Sequence, residues 1–399
     1  MNVNEKSRIE SIDVLRGLAM VLMALDHVRD FFHVNAFITD PLDVTTTTTE
    51  LYLTRWVTHL CAPIFIFLAG VSVYLQHQRK PDRELGVFLL KRGFWFVIAE
   101  WTVVAVGWTF LPPFVLIPFM VIWAIGISMM ILGALILLKL PVKAIAGIGL
   151  VIVLGHNLLD IPEHAPGFSA GFVWDLLHSG VFKPYTLPWG STILIAYPFL
   201  AWTGLMCLGY AFGWFFTGRF STAKRRSILL GTGGGLILLF ILLRSGNFYG
   251  DSLSWSLQSN WLRSLGSFMN VTKYPPSLQY LAITMGLAML LLALLEGMKN
   301  RFTDWMGIFG RTAFFYYLIH IYLIHLLAAI FYFAQGNGLE MAFETVRQLP
   351  FLFVIPGQGY SLGVVYAVWI AVILALYPLC RWYDLYKSRH REKWWLQYI

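Results

Sequence analysis

The first apolar segment of the chain carries side chains that can transfer protons and bind anions. In residues 16–33, RGLAMVLMALDHVRDFFH, an apolar run is followed by Asp26, His27, Arg29, Asp30 and His33. Imidazole titrates near neutral pH, which suits a general base. Because an ionisable group at membrane depth needs a partner or water, the cluster predicts a functional site. The alternative interpretation is a set of interfacial charges where a helix leaves the membrane.

Helical geometry divides these side chains between two levels. Arg16 and His27 are eleven residues apart in the sequence. This separation is about three helical turns, so the two residues share one helix face at depths that differ by roughly 16 Å. Asp13 can pair with Arg16, and Asp30 can support His27 at i,i+3. We therefore expect an inner level marked by Arg16 and an outer level that contains His27.

Further segments place polar side chains at the outer level. The candidate substrate-binding residues in them are Arg55, His59, His156, Asn157, Lys273 and Tyr274. Arg55 and His59 share a helix face at i,i+4. A snorkelling arginine and a packed histidine are the competing interpretation. Pro275 is normal at a helix start, so only Lys273 and Tyr274 attract functional interest in that segment.

The other charged residues of the apolar segments occupy less distinctive positions. Glu100 is expected deep in a helix, where it needs a partner. Arg311 is expected near the cytoplasmic end of a later helix. His320 and His325 lie on different faces of that helix, so core packing is the predicted role of both.

The composition shows which solvent surrounds these segments. Hydrophobic residues make up 58% of the 399 residues and charged residues 13%, so the chain is far more apolar than a soluble domain. A membrane span needs about 20 residues, and the predicted spans are 12–33, 53–76, 88–110, 115–138, 143–160, 190–216, 227–243, 276–296, 308–333 and 360–380. We therefore predict an all-α polytopic bundle of about ten helices, formed as a single domain over residues 1–399.

Lysine and arginine crowd alternate connections between the spans. The clusters are Lys6 and Arg8; Arg79, Lys80, Arg83, Lys91 and Arg92; Lys139 and Lys143; Arg219, Lys224, Arg225 and Arg226; and Lys299 and Arg301. By the positive-inside rule these connections and both termini are cytoplasmic, including a basic tail at 381–399. This topology explains the net charge of +8, so nucleic acid is not an expected partner.

The cysteines indicate neither a disulfide framework nor a metal site. Cys61, Cys207 and Cys380 have no paired spacing, and each lies in or beside an apolar segment. We expect them to be packing residues, and we expect no metal.

Three segments together resemble a known family. SIDVLRGLAMVLMALDH at 11–27, THLCAPIFIFLAG at 58–70 and TKYPPSLQYL at 272–281 are similar to bacterial membrane proteins related to lysosomal heparan-α-glucosaminide N-acetyltransferase. The spacing of Arg16 and His27 also resembles that of acyltransferase family three. The resemblance is densest over 11–75 and recurs near 270–315, so its core spans 11–315. In the lysosomal enzyme the position that matches His27 looks like Asn, which leaves His27 and His33 as alternative positions for the base.

The resemblance implies a reaction that crosses the membrane. An acyl group, usually acetyl, would move from cytoplasmic acyl-coenzyme A to a hydroxyl or amine of a sugar-like acceptor at the outer face of a bacterial cytoplasmic membrane. Arg16, Arg92 and Arg311 would then bind the phosphates of the donor. The lipid bilayer, acyl-coenzyme A and a carbohydrate-like acceptor are the expected partners, and a homodimer is one open assembly state.

The implied chemistry also assigns roles at the outer level. His27 would take a proton from the acceptor, and Asp30 or Asp26 would orient its imidazole. Arg55, His59 or Lys273 would stabilise the developing oxyanion. Direct transfer and an acyl-histidine intermediate both remain open.

The competing class of function is a transporter or proton-coupled carrier of a small polar or anionic solute. Such proteins also place charged groups near the membrane midplane. Their expected sign in the sequence, a pair of broken helices in corresponding halves, is missing. We therefore favour the acyltransferase.

Overall fold

A computed structural model describes residues 9–180 and 182–398, most of which are helical. The α-helices are α1 Glu10–Phe32, α2 Thr49–Thr58, α3 Cys61–His77, α4 Asp82–Ala99, α5 Ala105–Thr109, α6 Val121–Leu137, α7 Val142–Gly155, α8 Asp160–Glu163, α9 Phe172–Trp174, α10 Phe199–Phe212, α11 Thr222–Ser245, α12 Trp261–Met269, α13 Leu278–Leu295, α14 Arg301–Arg311, α15 Ala313–Ala334, α16 Leu339–Thr345 and α17 Leu362–Arg389. Within the described residues, seven helical stretches are long and apolar enough to cross a membrane: Thr49–His77, Val142–Glu163, Phe199–Phe216, Thr222–Ser245, Leu278–Leu295, Ala313–Ala334 and Leu362–Arg389. The chain is therefore an integral membrane protein.

The count of about ten spans and the cytoplasmic position of both termini stay predictions. Helices α1 and α4 carry several charged side chains, and α6 has 17 residues. Lys6 and Arg8 of the first basic cluster lie outside the described residues. The predicted tail at 381–399 begins inside α17, because this helix continues to Arg389.

Several predicted spans are interrupted. The span predicted at 53–76 consists of α2 and α3, which are separated by a turn at His59 and Leu60. A π-helical turn, Glu100–Val104, joins α4 to α5 inside the span predicted at 88–110. Single π-helical turns inside α-helices occur frequently at functional sites.

A small sheet is an addition to the predominantly helical fold that the sequence predicts. Its strands are β1 Leu116–Phe119, β2 Lys183–Thr186 and β3 Thr192–Ile195, in the order β1-β3-β2. Strand β3 pairs in parallel with β1 and antiparallel with β2. Gly190, with φ of +91°, provides the left-handed residue in the turn between β2 and β3. The spans predicted at 115–138 and 190–216 therefore begin as strands.

Glycines bring α1 against α14 and so fix the depth of Arg16. A Cβ atom added to Gly17 would lie 1.8 Å from the carbonyl oxygen of Met306, and one added to Gly310 would lie 1.8 Å from that of Asp13. A larger residue at either position would overlap backbone, so only small residues permit this approach.

Helix α1 lies at the centre of the bundle. It packs against α2, α3, α13, α14, α15 and α17. Because most of its residues are buried, its charged side chains must find partners within the protein or in a ligand.

Candidate active site

His27 of α1 and His320 of α15 form a hydrogen-bonded pair. Nδ1 of His27 lies 2.7 Å from Nε2 of His320, and the ring centroids are 5.0 Å apart. Nδ1 of His320 lies 3.0 Å from the carbonyl oxygen of Tyr316. Because a carbonyl oxygen only accepts, we assign the proton of His320 to Nδ1. His27 Nδ1–H then donates to His320, and His27 Nε2 keeps a free lone pair.

The His27 ring is half-buried and has an aromatic neighbour. The edge contact with Trp108 has a centroid distance of 4.6 Å. The indole Nε1 of Trp108 is buried and has no hydrogen-bond partner among the described residues. The imidazole is therefore positioned by α15 and α5 while part of its surface stays accessible.

Arginines and carboxylates form a network beside His27. Arg55 Nη1 donates to both carboxylate oxygens of Asp26, at 2.8 and 2.6 Å. Arg29 Nη2 lies 3.0 Å from Asp26 and 2.5 Å from Asp30. Two arginines therefore share two carboxylates, which keeps the local charge close to balance.

Lys273 adds a positive charge without a carboxylate partner. It is 7% exposed, and its Nζ lies 5.1 Å from the ring centroid of Tyr274. Across residues 9–180 and 182–398 it makes no ion pair, although Asp26 and His27 lie within electrostatic range. A buried cation of this kind is suited to bind an anion or a developing negative charge.

His59 is the second outer-level group that lacks partners. It is 1% exposed, and neither ring nitrogen has a hydrogen-bond partner within the described part of the chain. Its carbonyl oxygen accepts from the Tyr280 hydroxyl at 2.7 Å, which fixes the backbone at the turn between α2 and α3. Buried polar atoms are nearly always satisfied by protein or water, so His59 indicates room for a polar group.

The inner level brings Arg16 against two other helices. Arg16 Nη1 donates to Asp13 at 3.1 Å and to the carbonyl oxygen of Gly310 at 3.3 Å. Its Nη2 donates to Ser72 Oγ at 2.9 Å. The predicted pairing of Arg16 with Asp13 is therefore confirmed. Arg16 also joins α1 to α3 and α14.

The other two predicted donor-binding arginines differ in their surroundings. Arg311 donates from Nε and Nη2 to the Asp384 carboxylate of α17, at 2.7 to 3.0 Å. Arg92 instead lies over aromatic rings, 5.9 Å from the Phe88 centroid and 5.3 Å from that of Phe96. Its Nε is buried and has no hydrogen-bond partner in the described ranges. Arg92 is within electrostatic range of Arg16.

His156 and Asn157 hold the segment that carries Lys273. His156 Nε2 lies 2.8 Å from the carbonyl oxygen of Pro276. Asn157 Oδ1 accepts from the backbone N–H of Leu278 at 2.9 Å. Both side chains therefore position the start of α13, and substrate binding by them stays a prediction.

His33 and Asp30 do not reach His27 in this arrangement. His33 follows the last residue of α1, and its Nδ1 accepts from the backbone N–H of Asn35 at 3.2 Å. Asp30 pairs with Arg29. The Nδ1 atom of His27 is hydrogen-bonded to His320 and not to Asp30. His320, and not Asp30, therefore orients the His27 imidazole, because α15 packs directly against α1 at this depth.

One residue of the site is not predicted from the sequence to be functional. His320 was assigned to core packing, yet it contacts His27. Arg311 and His320 are nine residues apart and lie in different helices, whereas Arg16 and His27 are eleven residues apart in one helix, so the spacing gives no signal for this contact. Glu100 lies on the π-helical turn, where Oε2 accepts from the backbone N–H of Trp123 at 2.8 Å. The predicted partner of Glu100 is thus backbone.

The amino-acid sequence matches the model of a known family. The family model described as heparan-alpha-glucosaminide N-acetyltransferase, catalytic, matches residues 8–242, more than half of the chain. The chain belongs to this family. Membership indicates an acetyltransferase embedded in a membrane. The match includes Asp26, His27 and Arg55, whereas Lys273 and His320 lie beyond it. No curated protein matches the chain.

Proposed function

We propose that the protein transfers an acetyl group from acetyl-coenzyme A to an amine or hydroxyl of a sugar-like acceptor, with His27 as general base. The observation that carries the proposal is the pairing of His27 with His320, which leaves a lone pair on His27 Nε2. Lys273 lies within electrostatic range of the same imidazole. A base and a cation are thus available around one accessible position.

These groups suit acyl transfer to a nucleophile. The acceptor nitrogen or oxygen attacks the thioester carbonyl carbon, and the carbonyl electron pair moves to oxygen, where Lys273 stabilises the negative charge. His27 Nε2 takes the acceptor proton. Collapse of the tetrahedral intermediate breaks the C–S bond, and the leaving thiolate receives that proton from His27. Asp26 stabilises the transient imidazolium.

The inner level would bind the coenzyme A phosphates. Among its predicted arginines, Arg92 is the one that rests on aromatic rings, while Arg311 is engaged by Asp384. A phosphate beside Arg16 and Arg92 would relieve their mutual repulsion and satisfy the buried Nε of Arg92. We therefore assign phosphate binding first to Arg92 and Arg16.

The sidedness of the reaction is also part of the proposal. The donor would enter from the cytoplasmic face of a bacterial inner membrane and the acceptor from the opposite face. A cysteine that replaces exposed Thr46 should react with an impermeant reagent from outside, and one that replaces exposed Ser388 only after lysis. The three native cysteines are buried and provide a low background. Reversed labelling would contradict the assignment.

The activity test uses purified protein, acetyl-coenzyme A with a radiolabelled acetyl group, and glucosamine as acceptor. We expect time-dependent appearance of labelled N-acetylglucosamine, and loss of this product in His27→Ala. Labelled protein trapped without acceptor would indicate an acyl-histidine route. A protein that neither transfers nor hydrolyses the acetyl group, but moves a solute across vesicles, would overturn the proposal in favour of a carrier.

A further inference from the structure

A polar cavity whose lining includes none of Asp26, His27 and Arg55 lies at the end of α7 that the proposed topology places outside. Its volume is about 200 Å³, and Asp160 and Glu163 line it together with hydroxyl side chains such as Ser252, Thr272 and Ser277. His178, on the π-helical turn Asp175–Ser179, joins the two carboxylates. One ligand-type atom from each of Asp160, Glu163 and His178 lies within 4.8 Å of the other two.

The hydrogen bonds of His178 fix its tautomer. Nδ1 lies 2.8 Å from Glu163 Oε1, which also accepts from the indole N–H of Trp174 at 2.6 Å. In the neutral imidazole the proton therefore resides on Nδ1, because an ionised carboxylate only accepts. Nε2 is left with its lone pair.

That lone pair faces a carboxylate across a gap. His178 is 1% exposed, and within residues 9–180 and 182–398 its Nε2 has no hydrogen-bond partner. Nε2 lies 3.6 Å from Asp160 Oδ1, too far for a hydrogen bond. The Nε2 lone pair and the ionised Asp160 oxygen repel each other, unless a positive charge lies between them.

The separation suits two ligands of one metal ion. Nitrogen and oxygen ligands each about 2.1 Å from a tetrahedrally coordinated ion are about 3.4 Å apart. A metal-bound histidine commonly donates its other N–H to a carboxylate, as His178 does to Glu163. We infer that Asp160 and His178 bind a first-row divalent metal ion, with Glu163 orienting His178 and water from the cavity completing the coordination.

The donor set defines the class of ion. One imidazole with carboxylate and water oxygens favours Zn²⁺ or Mn²⁺ over Ca²⁺, which prefers oxygen ligands alone. The inference departs from the expectation of no metal, which rested on the cysteines. Asp160 also accepts from Asn157 at 2.9 Å, so the ion would help to anchor the segment that leads to Lys273.

The competing arrangement is a doubly protonated His178 held between Glu163 and Asp160. It explains the same side-chain positions without a metal ion. Metal binding by the purified full-length protein distinguishes the two arrangements, and the assay contains neither acyl donor nor acceptor. Its outcome is therefore independent of the proposed acyltransferase function.

The experiment titrates detergent-purified protein, stripped with a chelator, with Zn²⁺ and with Mn²⁺ alone. We expect one equivalent bound per chain and, with Mn²⁺, an electron spin echo signal from a coordinated imidazole nitrogen. Asp160→Asn and His178→Ala should each weaken binding by about a hundredfold or more, and Glu163→Gln by about 10- to 100-fold. His390→Ala is the matched control, because His390 forms an exposed imidazole–carboxylate pair with Glu392 at 3.0 Å.

Two results would overturn the metal site. One is folded wild-type protein that retains no stoichiometric Zn²⁺ or Mn²⁺ after gel filtration, which would favour the protonated His178. The other is equal binding by the wild type and by Asp160→Asn. Because the wild-type stoichiometry and the nitrogen signal need no substitution, a variant that fails to fold does not weaken the test.

Discussion

The inner and outer charged levels of α1 satisfy their charges in different ways. At the inner level Arg311 makes a bidentate ion pair with Asp384. Arg16 donates hydrogen bonds to residues of α1, α3 and α14. At the outer level Lys273 makes no ion pair and His59 no ring hydrogen bond, in the part of the chain that the structure describes. Arg311 and Arg16 thus hold helices together, whereas Lys273 and His59, like the Arg92 Nε of the inner level, leave polar groups available.

The difference teaches which charges to test for function. A buried donor or acceptor left unsatisfied costs about 1–3 kcal/mol, and an unpaired buried charge costs more. A fold that keeps such groups together gains something in return, and under the proposed function this gain is the binding of substrate. Satisfied charges should therefore affect stability, and unsatisfied ones catalysis.

The largest expected effect concerns His27. His27→Ala should lower the rate of acetyl transfer by about 10²- to 10⁴-fold, the usual contribution of a general base. The fold should persist, because His27 is half-buried and its removal leaves α1 packed through Gly17. Initial rates with radiolabelled acetyl-coenzyme A measure the loss.

His33→Ala is the matched control for that prediction, because His33 lies six residues further along the chain, just after α1. It should retain nearly the full transfer rate. An inactive His33→Ala together with an active His27→Ala would identify His33 as the base. The pairing of His27 with His320 would then have no role in catalysis.

The second effect tests the unpaired cation. Lys273→Met keeps much of the side-chain volume and removes the charge, so kcat should fall by about 10²- to 10³-fold, as for loss of an oxyanion-stabilising group. Lys183→Met is the control, since Lys183 is paired with Asp175 at 2.8 Å. If both variants keep the wild-type kcat, Lys273 does not stabilise the oxyanion.

The pairing of Arg55 with Asp26 shows how far sequence reasoning reaches. The predicted topology starts the helix of Arg55 outside, and this places Arg55 at the predicted depth of His27. The structure brings Arg55 to Asp26, the neighbour of His27 in the chain. Depth along a helix can be predicted because the rise per residue is fixed, so the two levels were predictable.

His320 shows where that reasoning ends. Its depth was equally predictable, but its contact with His27 depends on how α15 is rotated against α1, and these residues are 293 positions apart. Rotation is set by packing over whole helix faces, which no local pattern encodes. The sheet was missed for a related reason, because β1 gains its hydrogen bonds from β3, more than seventy residues away.

The third effect compares two arginines of the inner level. Arg92→Leu should weaken acetyl-coenzyme A binding by the roughly 1.5–3 kcal/mol of a charge-assisted hydrogen bond, which is about tenfold or more in Kd. Arg311→Leu should instead lower thermal stability, because it leaves Asp384 unpaired, and should leave Kd unchanged. Calorimetric titration of the folded variants measures both affinities. A larger loss of affinity in Arg311→Leu would reverse the assignment.

The smallest effect tests whether a fully satisfied charge outside the spans contributes only stability. Asp175 is buried, yet its carboxylate accepts from Ser179 at 2.8 Å, from Lys183 at 2.8 Å and from the Tyr185 hydroxyl. Burial alone would raise the pKa of Asp175, but these bonds outweigh it and lower the pKa below 3.8. A lowered pKa in the folded state means that the stabilisation is complete above the unfolded value near 3.8. It is lost as the pH falls through the folded value.

Asp175→Asn should therefore reduce stability at neutral pH by about 1–3 kcal/mol and leave kcat at the wild-type value. The deficit relative to the wild type should shrink as the pH falls through the lowered pKa of Asp175, because the wild-type carboxylate then becomes neutral as well. Thermal unfolding of both proteins in one detergent, measured from neutral pH downward, gives this difference. A constant deficit at every pH would show that the substitution acts through packing. An altered kcat would contradict the expectation that satisfied charges affect only stability, because Asp175 would then influence catalysis without touching the His27 cluster.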